Sequence, residues 1–436
     1  MEHKVEEVKL KCGAKGLLID VSGAPVFDIQ FWFRAGDHTV EDPKKYEAAH
    51  IMEHMACGAN SQHNSKASVD RYIDMYGAYS NAWTSTDYLA YIRECPDFDW
   101  ERILRQLVVQ VTSPKFLLKE FKAEVGNVEE EMRLRSNEKW DEIYHVMETK
   151  FGKRYTDTWL GRLELMKNVQ LNDINEHYHR THGAKNLTFF IAGDMEGGKK
   201  NKITDILEDL SRLPNTPRFK LYKEPKVSSY DKPVVIPKKD VDNVYLKLKT
   251  YASSELSQSS VIANLTVLNK LLDDGDHSRI YGKARQRGLV YSLGCGRGVN
   301  EHGTYYWVLS CQVGNNNIDK LIDLIIKELK KVITKGFTKK EIREAVTSIK
   351  GGLRMNNQTS YSILDWHAAW YTSTEQEKVY DFDQVDKWYD EVTPESIQKL
   401  FLNLIKTKKW GAGFLGNVDE AQAQKWNKKL AEIFED

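Results

Sequence analysis

The sequence predicts an α+β protein made of two related halves, each an antiparallel-rich sheet with helices packed on one face. Three observations predict it. Apolar runs of strand length, Val26 to Phe33 and Tyr305 to Val313, alternate with longer amphipathic segments, Trp100 to Val111 and Ile318 to Ile333. Five of the ten prolines, Pro214, Pro217, Pro225, Pro233 and Pro237, fall within 24 residues, a density that interrupts regular structure. On each side of that cluster the same ending recurs: a helical segment, a lysine-containing turn, and an apolar strand closing in Gly-Asp or Gly-Asn.

Asn172 to Asp194 and Thr393 to Asp419 carry this ending, so the chain reads as an internal duplication. The expected organisation is a first domain at residues 1–213, a proline-rich linker at 214–237 and a homologous second domain at 238–436. Local punctuation agrees with it. Thr338 to Glu341 is a capping box that opens a helix after Gly336, and Pro394 behind Thr393 marks another helix start.

With 436 residues, each half is long enough to bury its own core. Lys plus Arg and Asp plus Glu number 63 each, and this balance gives no reason to expect a nucleic-acid partner. The basic stretch Lys327 to Lys340 reads as a solvated helix face. No apolar run approaches the roughly 18 residues of a membrane span, and the opening MEHKVEEVKL lacks the apolar stretch of an export signal. Cys12, Cys57, Cys95, Cys295 and Cys311 form no CxxC pair and read as reduced thiols. The expectation is a soluble, cytoplasmic chain.

The chemistry is concentrated in His50-Ile51-Met52-Glu53-His54. On a helix, positions 50 and 54 lie one turn apart on one face, so their imidazoles can converge on a single ion. Glu53 stands beside them as a carboxylate that need not bind the metal, which is the position of a general base. Glu131 follows His54 by 77 positions, and Glu124 precedes Glu131 by seven, so both share one face of a second helix. That helix can offer Glu131 as third ligand and Glu124 as acceptor for the outward N–H of a ligating histidine. Glu129 and Glu130 point elsewhere and read as solvated. Two imidazoles and one carboxylate describe a catalytic zinc centre, one ion per chain.

These motifs resemble the inverted-motif zinc metallopeptidases that include pitrilysin, insulin-degrading enzyme and the mitochondrial processing peptidases. Gly77 to Ser85 and Tyr281 to Tyr291 resemble further signatures of that family. The resemblance implies zinc ligands at His50, His54 and Glu131, a base at Glu53, and a supporting acid at Glu124. It also implies substrate contacts on an edge strand at Asn81, Ala82 and Trp83. Tyr291 matches a catalytic tyrosine of the second half. The arginine expected seven residues earlier is replaced by Ala284; either a one-residue shift lets Arg285 serve for substrate binding, or the guanidinium is lost and Tyr291 acts with the metal alone.

A chain of this length resembles half of a clamshell that closes on unfolded peptides, so the expected partners are peptide substrates and a second copy in a homodimer, with a heterodimer as the alternative. The expected activity is a zinc endopeptidase; the alternative is a non-catalytic scaffold or partner subunit of the same family.

Overall fold

The computed structural model describes residues 1–150, 159–220, 232–251, 258–299, 305–372 and 377–435. Pro225 of the proline cluster lies outside the described residues. The chain forms two compact units: Met1–Arg135 with Trp159–Tyr222 and Arg354–Val379, and Ser136–Thr158 with Lys223–Leu353 and Tyr380–Asp436. Neither unit is contiguous along the chain: each takes a segment from the other side of the proline cluster.

The first unit holds strands β1 (His3–Lys9), β2 (Lys15–Val21), β3 (Val26–Phe33), β4 (Tyr79–Thr84), β5 (Leu89–Pro96) and β6 (Leu187–Gly193). They lie in the order β1-β2-β6-β3-β5-β4, antiparallel except for β2 with β6. The second unit holds β7 (Val234–Pro237), β8 (Asn243–Tyr251), β9 (Val290–Val299), β10 (Tyr305–Gly314) and β11 (Trp410–Gly416). Their order is β7-β11-β8-β10-β9, antiparallel except for β7 with β11. With β1 set aside, the two sheets share one order and one pattern of directions. The duplication read from the recurring chain endings is therefore present in the topology.

Seven α-helices precede β6 among the described residues: α1 (Ala48–Ala56), α2 (Lys66–Met75), α3 (Trp100–Thr112), α4 (Leu118–Arg135), α5 (Lys139–Lys150), α6 (Trp159–Met166) and α7 (Leu171–Thr181). α7 leads into β6 as the helix Pro394–Lys406 leads into β11, and both open on capping boxes, Gln170 with Asp173 and Thr393 with Ser396. Thr338 and Glu341 also exchange their expected capping bonds, at 2.8 and 3.2 Å. The expected helices at 100–111 and 318–333 span Trp100–Thr112 and Ile318–Lys335.

Strand alternation sorts β3 between two layers. Phe27, Ile29, Phe31 and Phe33 enter the main core with α1, α3 and α7. Trp32, on the other face, packs with Leu17, Ile19 and Phe190 beneath Ile363, Leu364, Ala368 and Tyr371 of the helix Ser360–Thr372. The main helical layer therefore lies on one face, and this late helix covers the reverse face. That burial explains why residues 354–379 belong to the first unit.

The converse exchange rests on α5, whose Ile143 and Met147 pack with Val234 and Leu415 in the second unit. A Cβ at Gly413 would stand 2.6 Å from the Met147 sulfur, so glycine there lets the helix lie directly on β11. The end of the expected 214–237 linker is strand β7 itself, closed by Pro237. β7 is an edge strand, where proline is tolerated because one side of the backbone has no ladder to join. No helix among the described residues is long and apolar enough to cross a membrane.

Asp28 shares the reverse face of β3 and is only 1% exposed. Burial pushes its carboxyl up to about 7, with the Ser360 hydroxyl partly offsetting the rise and Glu94 adding to it. In the range between its ordinary value and 7 the unfolded carboxyl is ionised while the folded one holds its proton, so this residue lowers stability progressively as pH rises. Asp28→Asn is expected to stabilise the chain by roughly 2–4 kcal/mol more at pH 8 than at pH 4. Urea unfolding of both proteins at the two pH values measures this, and a pH-independent difference would show that Asp28 titrates normally.

Candidate metal centre

α1 and α4 bring the sequence-selected residues together. The Glu131 Oε2 lies 3.5 Å from His50 Nε2 and 3.8 Å from His54 Nε2. One ligand atom from each of the three residues falls within 4.8 Å of the others, the one such triad found among the described residues. Donors bound to a tetrahedral zinc stand about 3.3 Å apart, so closure on the ion needs movements of a few tenths of an ångström to about 1 Å. The donor set, two imidazoles and a carboxylate, suits zinc.

Each ligand is held from behind. His54 Nδ1 meets Glu124 Oε2 at 2.9 Å, and Asn127 Nδ2 donates to the same oxygen at 3.2 Å. Burial alone would raise the Glu124 carboxyl, but the bonds from His54 and Asn127 hold it below its ordinary value. Glu131 turns its second oxygen to Arg135 Nη2 at 2.5 Å. The His50 contact holds Glu131 down to about 2, burial opposes this, and the charges of His50, Arg135 and His54 reinforce it. Burial works against the His50 imidazolium, yet Glu131 and Glu47 override it and raise its pKa to about 10.

Glu53 is buried at 6% exposure on the same helix, and Thr84 Oγ1 donates to its Oε2 at 2.6 Å. Thr84 ends β4, the edge strand of the first sheet. A cavity of about 870 Å³ opens here, lined by His50, Glu53, His54 and Glu131 and by β4 from Tyr79 to Thr84. Asn81 is exposed, and its side-chain oxygen accepts the Ala82 amide at 2.9 Å. Trp83 is half-buried with its ring edge-on to Trp32 at 4.8 Å, so its indole packs on the sheet while the strand borders the cavity.

Comparison with known proteins shows the family. The family model described as Insulinase (Peptidase family M16) matches residues 18–157, and the one described as Peptidase M16 inactive domain matches residues 168–349. The chain belongs to the M16 peptidase family. A Bacillus subtilis protein named "Uncharacterized zinc protease YmxG" is 22% identical over 350 residues, 77% of this chain and 80% of that one. A Helicobacter pylori protein named "Non-peptidase homolog YmxG" is 26% identical over 215 residues, 47% of this chain and 46% of that one. Among solved structures, a protease from Helicobacter pylori superposes with TM-score 0.81 at 19% identity over 95% of this chain and 100% of that one. The periplasmic protease PqqL from Escherichia coli superposes with TM-score 0.76 at 14% identity, covering all of this chain and 51% of PqqL.

His50, Glu53, His54 and Glu131 all lie within the residues matched by the M16 insulinase model, outside the part matched as inactive. Tyr291 and Arg285 belong to the second unit. Tyr291 is 85% exposed, and the Arg285 guanidinium stands 5.3 Å above its ring. Ala284 is fully buried, so a side chain there points into the core, and the neighbouring Arg285 is the exposed position. The sequence reading missed Glu47, whose Oε2 is 3.5 Å from His50 Nδ1, and Arg162, which pairs with Glu47. Spacing of three on α1 was the available signal for Glu47; nothing local announces Arg162, because α6 is brought to α1 by tertiary packing.

With its pKa raised to about 10, His50 is expected to hold a proton in the metal-free chain, and metal uptake to displace it. Zinc affinity is expected to rise about tenfold per pH unit between about pH 6 and 9, with release of a proton on binding. Calorimetric titration in buffers of different ionisation enthalpy reads both. An affinity flat across that range would mean that His50 is neutral before the metal arrives.

Proposed function

We propose that this M16 chain is a zinc-dependent endopeptidase that cleaves unfolded peptides. The observation that carries the reading is a three-donor metal triad facing the same cavity as a buried, non-ligating carboxylate on the same helix. His50, His54 and Glu131 would hold the ion, which supplies Lewis acidity toward a peptide carbonyl and a water. Glu53 takes a proton from the attacking water as the new C–O bond forms. As the C–N bond breaks, it passes that proton to the leaving amine.

Thr84 keeps the Glu53 carboxylate aimed between β4 and the triad. An extended peptide can add to the edge of β4, with Asn81 and Ala82 offering main-chain partners and Trp83 flanking them. Such pairing reads length and conformation more than sequence, which fits unfolded peptides. Tyr291, with Arg285 stacked on its ring, is read as a second peptide-binding element. PqqL is about twice the length of this chain, and that ratio supports a pairing of two such chains into a homodimer.

A second reading, a non-catalytic subunit, is favoured by the name of the Helicobacter pylori relative. Glu53→Gln separates the two. It is expected to keep stoichiometric zinc and lose peptide cleavage by roughly 10²- to 10⁴-fold, as general-base loss does. Mass spectrometry of a peptide digest with both proteins reads the difference. A zinc-loaded wild type that leaves the peptides as intact as the variant does would establish the non-catalytic reading. Light scattering at micromolar concentration is expected to report a dimer, and a monomer would remove the pairing.

A further inference from the structure

We propose that Glu47, clamped by Arg162, is the positioning residue for His50 and thereby sets the zinc affinity of the centre. This rests on the metal reading of the triad. The two ligating imidazoles are placed alike: each turns Nε2 toward Glu131 Oε2 and Nδ1 toward a buried carboxylate. For His54 that carboxylate is Glu124, supplied by a different helix. For His50 it is Glu47, which sits one turn earlier as the N-cap of α1 and is 1% exposed. Glu47 Oε2 has no hydrogen-bond partner, and His50 Nδ1 stands 3.5 Å from it.

A buried carboxylate needs compensation, and Arg162 provides it. The Arg162 Nε binds the other oxygen, Glu47 Oε1, and its Nη2 is 3.3 Å from Asp37 Oδ2. The guanidinium is also stacked on two rings, 4.8 Å from Tyr46 and 4.7 Å from Trp159. A cation held by two carboxylates and two aromatic faces has few places to go. Glu47 is thereby fixed as a negative charge facing Nδ1 at 3.5 Å, which favours the proton on that nitrogen and leaves the Nε2 lone pair for the metal.

The clamp reaches the third ligand as well. Trp159 carries Arg135 at 5.1 Å from its ring, and Arg135 pairs with the outer oxygen of Glu131. One indole thus spaces the guanidinium behind the His50 partner and the guanidinium behind Glu131. Behind His54, the partner Glu124 is hydrogen-bonded by the neutral Asn127, and the charge of Lys66 acts on it without a hydrogen bond.

The test is zinc affinity of the purified full chain, measured by chelator competition, together with the visible spectrum of the cobalt-loaded protein. Glu47→Gln is expected to raise the zinc Kd about 10- to 100-fold, as loss of an outer partner of a ligand does, and to alter the cobalt bands. Because the single change leaves Arg162 with less compensation, Glu47→Gln/Arg162→Met removes both charges together and carries the test if the single variant does not fold. The double variant is expected to melt near the wild-type temperature without metal and still to bind zinc at least tenfold more weakly. Wild-type affinity and cobalt spectrum in the folded double variant would overturn the proposal. A wild-type chain that binds no zinc would instead overturn the metal reading itself.

Discussion

The centre depends on α1 lying against one face of α4. Glu120, Glu124 and Glu131 fall within about 40° of one another around that helix. Glu120 accepts the Ala59 and Lys66 amides at 3.1 and 2.9 Å, which pins the loop leaving α1 to the start of α2. A Cβ at Gly58 would stand 2.8 Å from the Glu120 carboxylate, so a glycine lets the loop pass. Glu124 orients His54, and Glu131 closes the triad. The rotation of α4 is set by the adjacent apolar stripe, where Val128 and Met132 are buried in the main core. Core packing and metal geometry are therefore one constraint: a rotation that moved Glu131 off the triad would also pull Val128 and Met132 out of the core.

The same economy governs β4. Thr84 bonds Glu53, Trp83 anchors the strand on Trp32, and the outer edge of the strand borders the cavity. Open edges invite unwanted pairing, and proteins usually cover them. Among the described residues, the Ala82 amide donates to the Asn81 side-chain oxygen at 2.9 Å. A neutral side chain with free rotation is an easily displaced cover. That choice suits a strand kept available for peptide.

Much of the centre was legible in the sequence because helical spacing is local arithmetic: 50, 53 and 54 share a turn, and 124 and 131 share a face. Their convergence was legible only through the likeness to a family, since the 76 residues between His54 and Glu131 hold strands and helices whose packing no spacing rule specifies. The duplication was visible in the two chain endings. The exchange of segments between units was not, although a clue existed. β6 reads Leu-Thr-Phe-Phe-Ile-Ala-Gly and is buried throughout, so it needed cover on both faces. The identity of that cover, a helix some 170 residues later, is a tertiary fact. Trp83 packs on Trp32 while its strand lines the cavity, so the core and contact readings of this residue each describe part of it.

Charge explains why the arrangement favours a divalent cation. Asp37, Glu47, Glu53, Glu124 and Glu131 gather around the triad, against the guanidiniums of Arg135 and Arg162. With both imidazoles neutral, five carboxylates face two cations, leaving three negative charges in a partly buried place. A proton on His50 relieves one of them, and its raised pKa reflects that demand. A divalent ion relieves two and lets His50 release its proton to become a ligand.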